Sequence, residues 1–176
     1  MKKLICVSLV LFLFVSLCAC DAAEEILEFS EKVNAKTFTE GELSIDLTRD
    51  FLRMDILAEG FDFAMSDGDI TIFGERMDYS QNDQFTLSAW EYAEAIREGL
   101  KMRDSDMATE VTDLDGIPTI QYTVLDDDGE KMTFLYAIYE ATDAFWLVQF
   151  GFETEDYEEY YPLAQQYARS VVINNQ

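Results

Sequence analysis

In the run from Phe145 to Phe152, bulky apolar side chains fill consecutive positions from Phe145 to Val148, with Phe145 and Leu147 alternating against Trp146 and Val148. Successive side chains of a strand point to opposite faces. This strand is therefore apolar on both faces, and such strands belong at the centre of a sheet covered from both sides. The run from Lys131 to Tyr139 repeats the pattern, setting Phe134 and Tyr136 against Leu135 and Tyr139. A chain with two such strands must supply cover for both faces, which points to the α+β class.

The remaining strands alternate cleanly. Leu43, Ile45 and Leu47 interleave with Glu42, Ser44 and Asp46, a half-buried strand. Phe61, Phe63 and Met65 lead into Ser66-Asp67-Gly68-Asp69 and then Ile70 to Met77, the arrangement of a tight hairpin. Met107 to Leu114 and Ile117 to Leu125 flank Asp115-Gly116, and such short turns join antiparallel neighbours.

Two stretches read as helices. In LSAWEYAEAIREGLKM, Ser88 and Glu91 have capping-box spacing, Leu87 and Tyr92 flank it as a hydrophobic staple, and Trp90, Ala93, Ile96 and Leu100 form an apolar stripe. In TEDYEEYYPLAQQYARSVVINNQ, Thr154 is placed to cap, and Tyr160, Ala164, Tyr167, Ala168 and Val171 share a face with Leu163 at its margin. Pro162 either kinks this helix or starts its second half. The expected string is β-β-β-α-β-β-β-β-α, a single antiparallel β-sheet flanked by helices on opposite faces.

The start of the chain follows other rules. Lys2 and Lys3 precede an apolar run from Leu4 to Leu17, and LCAC closes it, the plan of a secretory signal. A membrane-spanning helix needs about 20 apolar residues, so the run is short for that. Leu17, Cys18, Ala19 and Cys20 resemble the bacterial lipobox. The resemblance implies diacylglyceryl transfer to the Cys20 thiol and cleavage after Ala19, leaving the protein lipid-anchored on the extracellular or periplasmic side of a cell membrane. Asp21 resembles the inner-membrane retention signal of some two-membrane bacteria. Residues 1–19 are thus read as a signal peptide, 20–37 as an anchor-proximal tether or short helix built on Ile26, Phe29 and Val33, and 38–176 as one domain.

All three cysteines lie at or before Cys20, so the domain must be stabilised by its core without disulfides. Thirty-six acidic residues stand against twelve basic ones, and two of those twelve are in the leader. Phosphate binding is built from Lys and Arg, so nucleic acid is excluded as a partner. Repulsion from anionic headgroups leaves the acyl chains to do the anchoring.

The order of elements, with ITIFGER, LSAWEYAEAI and FWLVQFGFETEDYEEYYP, resembles the PsbP-like fold over roughly residues 38 to 174. That fold occurs in a photosynthetic oxygen-evolving-complex subunit, a small nuclear Ran-binding protein and many bacterial lipoproteins of unassigned function. The resemblance implies a non-catalytic binding or accessory role, with an envelope protein as the partner, and it transfers no site residue.

The chain has no histidine, which removes Ser-His-Asp and Cys-His catalysis and the usual transition-metal ligands. No nucleotide-binding or nucleophile-elbow pattern is present, and no cofactor is expected. Carboxylates remain. Asp126, Asp127, Asp128 and Glu130 around Gly129 are candidate calcium ligands, although their consecutive placement is also that of a solvated hairpin turn. A carboxylate hydrolase of envelope polymers would need two acids facing across a cleft, one with a raised pKa. Tyr157 and Tyr161, at the edge of the last helix's apolar stripe, are candidate interface residues.

Overall fold

The computed structural model describes residues 35–54, 60–79, 87–103, 108–125 and 129–174. The leader, Cys20, and Asp126, Asp127 and Asp128 lie outside them. In chain order the strands are β1 (Ala35–Glu40), β2 (Leu43–Thr48), β3 (Leu52–Arg53), β4 (Phe63–Ser66), β5 (Thr71–Asp78), β6 (Thr112–Leu114), β7 (Ile117–Leu125), β8 (Lys131–Glu140), β9 (Ala144–Glu153) and β10 (Val172–Ile173). Helix α1 (Ala89–Arg103) separates β5 from β6, and α2 (Tyr157–Ser170) separates β9 from β10.

The expected single sheet is two sheets. β3-β4-β5-β9-β8-β7-β6 form a seven-stranded sheet, and β1-β2-β10 a three-stranded one. Strands lie about 4.8 Å apart, so seven span about 29 Å, whereas a helix with its side chains is about 10 Å wide. One helix cannot cover such a face. The small sheet completes the cover, turning Leu43, Ile45 and Leu47 into the same core as Ala164 and Ala168 of α2. Its third strand is recruited from the far end of the chain, with Val172 opposite Ser44 and Ile173 opposite Leu43.

β9 is the middle strand of the seven and is buried at all positions but its last. Its even-numbered side chains, from Ala144 through Trp146 to Phe152, face α2 and the small sheet. Phe145 and Leu147 face α1 together with Ile120 and Ile138. The helices do cover opposite faces of the large sheet.

The Ser88–Glu91 box forms: the Ser88 N–H donates to Glu91 Oε2 at 2.8 Å, and the Glu91 N–H to Ser88 Oγ at 3.3 Å. The stripe is rotated from expectation. Ala93 is fully buried, Tyr92 stacks on Phe145 with ring centroids 4.8 Å apart, and Trp90 is 41% exposed. Small side chains at Ala89 and Ala93 let the helix approach the sheet, so the contact line runs through them and leaves Trp90 at the margin.

The strand expected from Met107 is shortened to Thr112–Leu114, with an isolated bridge between Ala108 and Tyr122. Thr109 explains the break, because its hydroxyl takes the Gln121 N–H at 3.2 Å where a ladder carbonyl would otherwise serve. Thr154 does not cap; it pairs with the buried Thr133 hydroxyl at 2.9 Å and fixes the 3-10 turn Thr154–Asp156. Pro162 lies within α2, which runs through it. The carbonyl it leaves unserved is that of exposed Glu158, where water can replace the missing donor.

Candidate functional site

Tyr157 opens α2 directly after the 3-10 turn, and Tyr161 follows one helical turn later. That spacing puts the two side chains on one face. Their rings stack with centroids 4.7 Å apart and planes 14° from parallel. The Tyr157 hydroxyl donates to Gln121 Oε1 of β7 at 3.0 Å, which ties the pair to the large sheet. Burial, then the neighbouring Tyr161 and Glu158, push the Tyr157 phenol pKa up, so it stays a neutral donor. Both residues are half-buried. Stacked, tethered aromatic rings lose little freedom on binding, which is what an interface anchor requires.

Of the candidate calcium ligands, Glu130 is described, and it is exposed beside the start of β8. The structure brings it to a carboxylate group that spacing alone did not reveal. Oxygens of Glu153, Glu155 and Asp156 lie within 4.8 Å of one another. A cavity of about 370 Å³ at this corner is lined by Glu130, Lys131, Glu153, Thr154 and Glu155. The Glu130 charge, followed by desolvation and the charges of Glu155 and Asp156, raises the Glu153 pKa. A carboxyl whose folded pKa is raised destabilises the fold once ionised, and that penalty is relieved as pH falls through the folded value. Glu153→Gln is therefore expected to raise Tm slightly at neutral pH and low ionic strength. The gain should shrink in high salt and vanish in acid, as thermal melts across pH and salt will show.

A cavity of about 540 Å³ contains Glu42, Arg76 and Asp143 in its lining. Arg76 is engaged by Glu42 at 2.8 Å, by Asp143 at 2.6 Å and by Asp78. The Trp146 indole donates to the same Glu42 oxygen at 2.9 Å. Burial works to raise the Glu42 pKa, but the bonds from Arg76 and Trp146 outweigh it and hold the carboxyl below its usual range. Arg97 is likewise ringed by Glu94, Glu98 and Glu110. These guanidiniums staple elements together and are not held out for an anionic ligand.

Two further features escaped sequence reasoning. Exposed Trp90 borders a groove of about 300 Å³ that includes Ile117, Pro118, Val171 and Ile173 in its lining. On the large sheet, burial and the nearby Asp62 raise the Glu75 pKa. Asp62 Oδ2 accepts the Arg76 backbone N–H at 2.6 Å. It is committed to the β4–β5 hairpin, so this pair does not supply two acids free to work on one bond.

Comparison with solved structures places this geometry. The cyanobacterial PsbP protein CyanoP from Synechocystis sp. PCC 6803 superposes with a TM-score of 0.58 at 13% identity, over 80% of this chain and 92% of that one. The fold is PsbP-like. A Bacteroides thetaiotaomicron protein matches with a TM-score of 0.53 at 10% identity, over 81% of this chain and 50% of its own, so this chain spans half its length. The Saccharomyces cerevisiae Ran-binding protein Mog1p gives 0.49 at 10% identity, over 81% and 96% of the two chains. The sequence itself matches no protein-family model and no curated protein. The PsbP-like fold expected from the sequence agrees with this likeness, with two sheets in place of the single one expected and β1, β3 and β10 added to the string.

Proposed function

We propose that this chain is an envelope lipoprotein, anchored through diacylglyceryl-Cys20 on the outer side of a membrane, whose PsbP-like domain binds an envelope protein and catalyses nothing. The observation that carries the binding role is the stacked Tyr157–Tyr161 pair, held rigid by Gln121 yet half-open to solvent. The lipid anchor rests on the leader and the lipobox-like Leu17 to Cys20. No helix among the described residues is long and apolar enough to cross a membrane. Fold likeness contributes architecture only, since one fold hosts many functions.

The test is mild crosslinking in the native host, followed by capture and mass spectrometry. Cys20→Ser is expected to move the protein out of the membrane fraction. Tyr157→Ala combined with Tyr161→Ala is expected to leave a folded, membrane-bound protein that no longer captures its partner. Retention of Cys20→Ser on membranes would defeat the anchor, and undiminished capture by the double variant would defeat the contact surface. A calcium-dependent module is the competing reading, drawn from Glu130 joining Glu153, Glu155 and Asp156. A calcium titration separates the two, because a module that needs the ion melts higher in its presence and the reading preferred here expects no change.

A further inference from the structure

We propose that the sheet face carrying Glu75 is a binding site for an ammonium group. It lies on the opposite face of the large sheet from α2 and is independent of the Tyr157–Tyr161 surface.

Strand register defines the site. Gln149 of β9 has Phe73 of β5 opposite on one side and Tyr136 of β8 opposite on the other. With strands about 4.8 Å apart, the stems of Phe73 and Tyr136 stand about 10 Å from each other. Glu75 is two residues beyond Phe73 on the same strand, and hence on the same face, directly across from Leu147. Gln149, only 5% exposed, forms the floor, and its Oε1 already accepts the Tyr122 hydroxyl at 3.0 Å. Tyr92 descends from α1, stacked on Phe145. Helix α1 lies over β7 and β8, and Phe73, Glu75, Tyr92 and Tyr136 remain half-exposed.

Glu75 is a partly buried acid with no counter-charge among the described residues, unlike the acids that are stapled to guanidiniums. Glu42 has Arg76 and Trp146, and Glu110 has Arg97 and Lys101. No hydrogen bond or ion pair from the described residues reaches Glu75, and the charge that acts on its carboxyl, Asp62, has the same sign. The phenols of Tyr92 and Tyr136 both feel the Glu75 charge, and both are kept neutral, chiefly by burial. The Arg103 charge acts on Tyr122 and Tyr136.

A half-buried carboxylate without a partner, set among aromatic rings, matches one chemistry. An alkylammonium ion donates charge-assisted hydrogen bonds to the carboxylate, and its charge is favoured over aromatic faces within about 6 Å. A divalent metal would need six or more oxygen ligands, and one carboxylate does not supply them.

The probe is propylammonium chloride, titrated into the intact domain at ionic strength held constant with sodium chloride, and followed by NMR shifts and tyrosine near-UV dichroism. Saturable binding is expected with a Kd of roughly a millimolar. Glu75→Gln should weaken it at least about tenfold, and Phe73→Leu roughly threefold. Glu153→Gln removes the same charge elsewhere and should leave binding unchanged. Because Glu75→Gln removes an unpaired charge, its Tm should equal or exceed that of the parent, so weaker binding will not reflect unfolding. A response that never saturates, binding unaffected by Glu75→Gln, or an equal loss in Glu153→Gln would each overturn the site.

Discussion

Trp146→Ala is expected to destabilise the domain by about 3 to 5 kcal/mol, the range for deleting a large buried aromatic. In thermal melts of a domain this size, that lowers Tm by about 10 °C. The size of the effect follows from position. Trp146 is 2% exposed in the central strand, with its ring 6.2 Å from that of Phe63. Its indole N–H also closes the Glu42–Arg76 cluster, so truncation opens a cavity and strips a donor from a partly buried carboxylate. Trp146→Phe separates these contributions, keeping most of the apolar volume while losing the donor, and should cost about 1 to 2 kcal/mol. A loss below about 1 kcal/mol for the alanine variant would mean that the core is not organised around this residue.

Gly74→Ala is expected to cost about 2 to 3 kcal/mol, at the upper end of what overpacking a core exacts. Phe63 sits opposite Gly74 in the β4–β5 register. A Cβ at Gly74 would come within 2.0 Å of that ring. The ring cannot retreat, being fully buried with Phe38 at 5.2 Å and Trp146 behind it. Gly151 makes the corresponding arrangement on the other face, with Phe134 opposite and 2.4 Å from an added Cβ. Phe134 is only half-buried and has room to swing, so Gly151→Ala should cost about 1 kcal/mol or less. Equal losses for the two glycines in denaturant unfolding would contradict this account. Phe63→Leu should recover much of the Gly74→Ala loss, since residues in contact couple in a double-mutant cycle.

The parts of the fold readable in advance are those where local chemistry and tertiary packing agree. Consecutive apolar residues in β9 foretold its central place. At the Asp67-Gly68 turn, Asp67 Oδ1 accepts the Ile70 N–H at 2.8 Å and Gly68 takes a φ of +107°, as that dipeptide suggests. β1, β3 and β10 were not readable. Ala35–Glu40 is largely exposed, and β3 and β10 have two residues each, too few for a period to show. They exist because other strands are present to pair with them, and the absence of β1 and β10 from the expectation is why one sheet was anticipated where two form.

The candidate surfaces divide in the same way. The spacing of Tyr157 and Tyr161 marked a shared face, but the bond to Gln121 comes from a strand 36 residues earlier. Glu75 within ITIFGER resembles any acid on a strand's polar side. Its isolation becomes visible only when register brings Phe73 and Tyr136 to either side of Gln149. Glu130 was singled out for a turn, and its like-charged neighbours arrive from β9 and the segment that follows it.

The borders of the seven-stranded sheet are unusually brief, two residues in β3 and three in β6, although the strands inside run to ten. Molecules tethered to one surface, as proposed for this chain, meet their own kind constantly and in similar orientations, conditions that favour growth of one sheet onto the next. A flanking strand of two or three residues offers few open N–H and C=O groups of its own to template another strand. Such brief flanking strands work against copies zipping together as they crowd in a plane, although the sheet interior is strongly apolar.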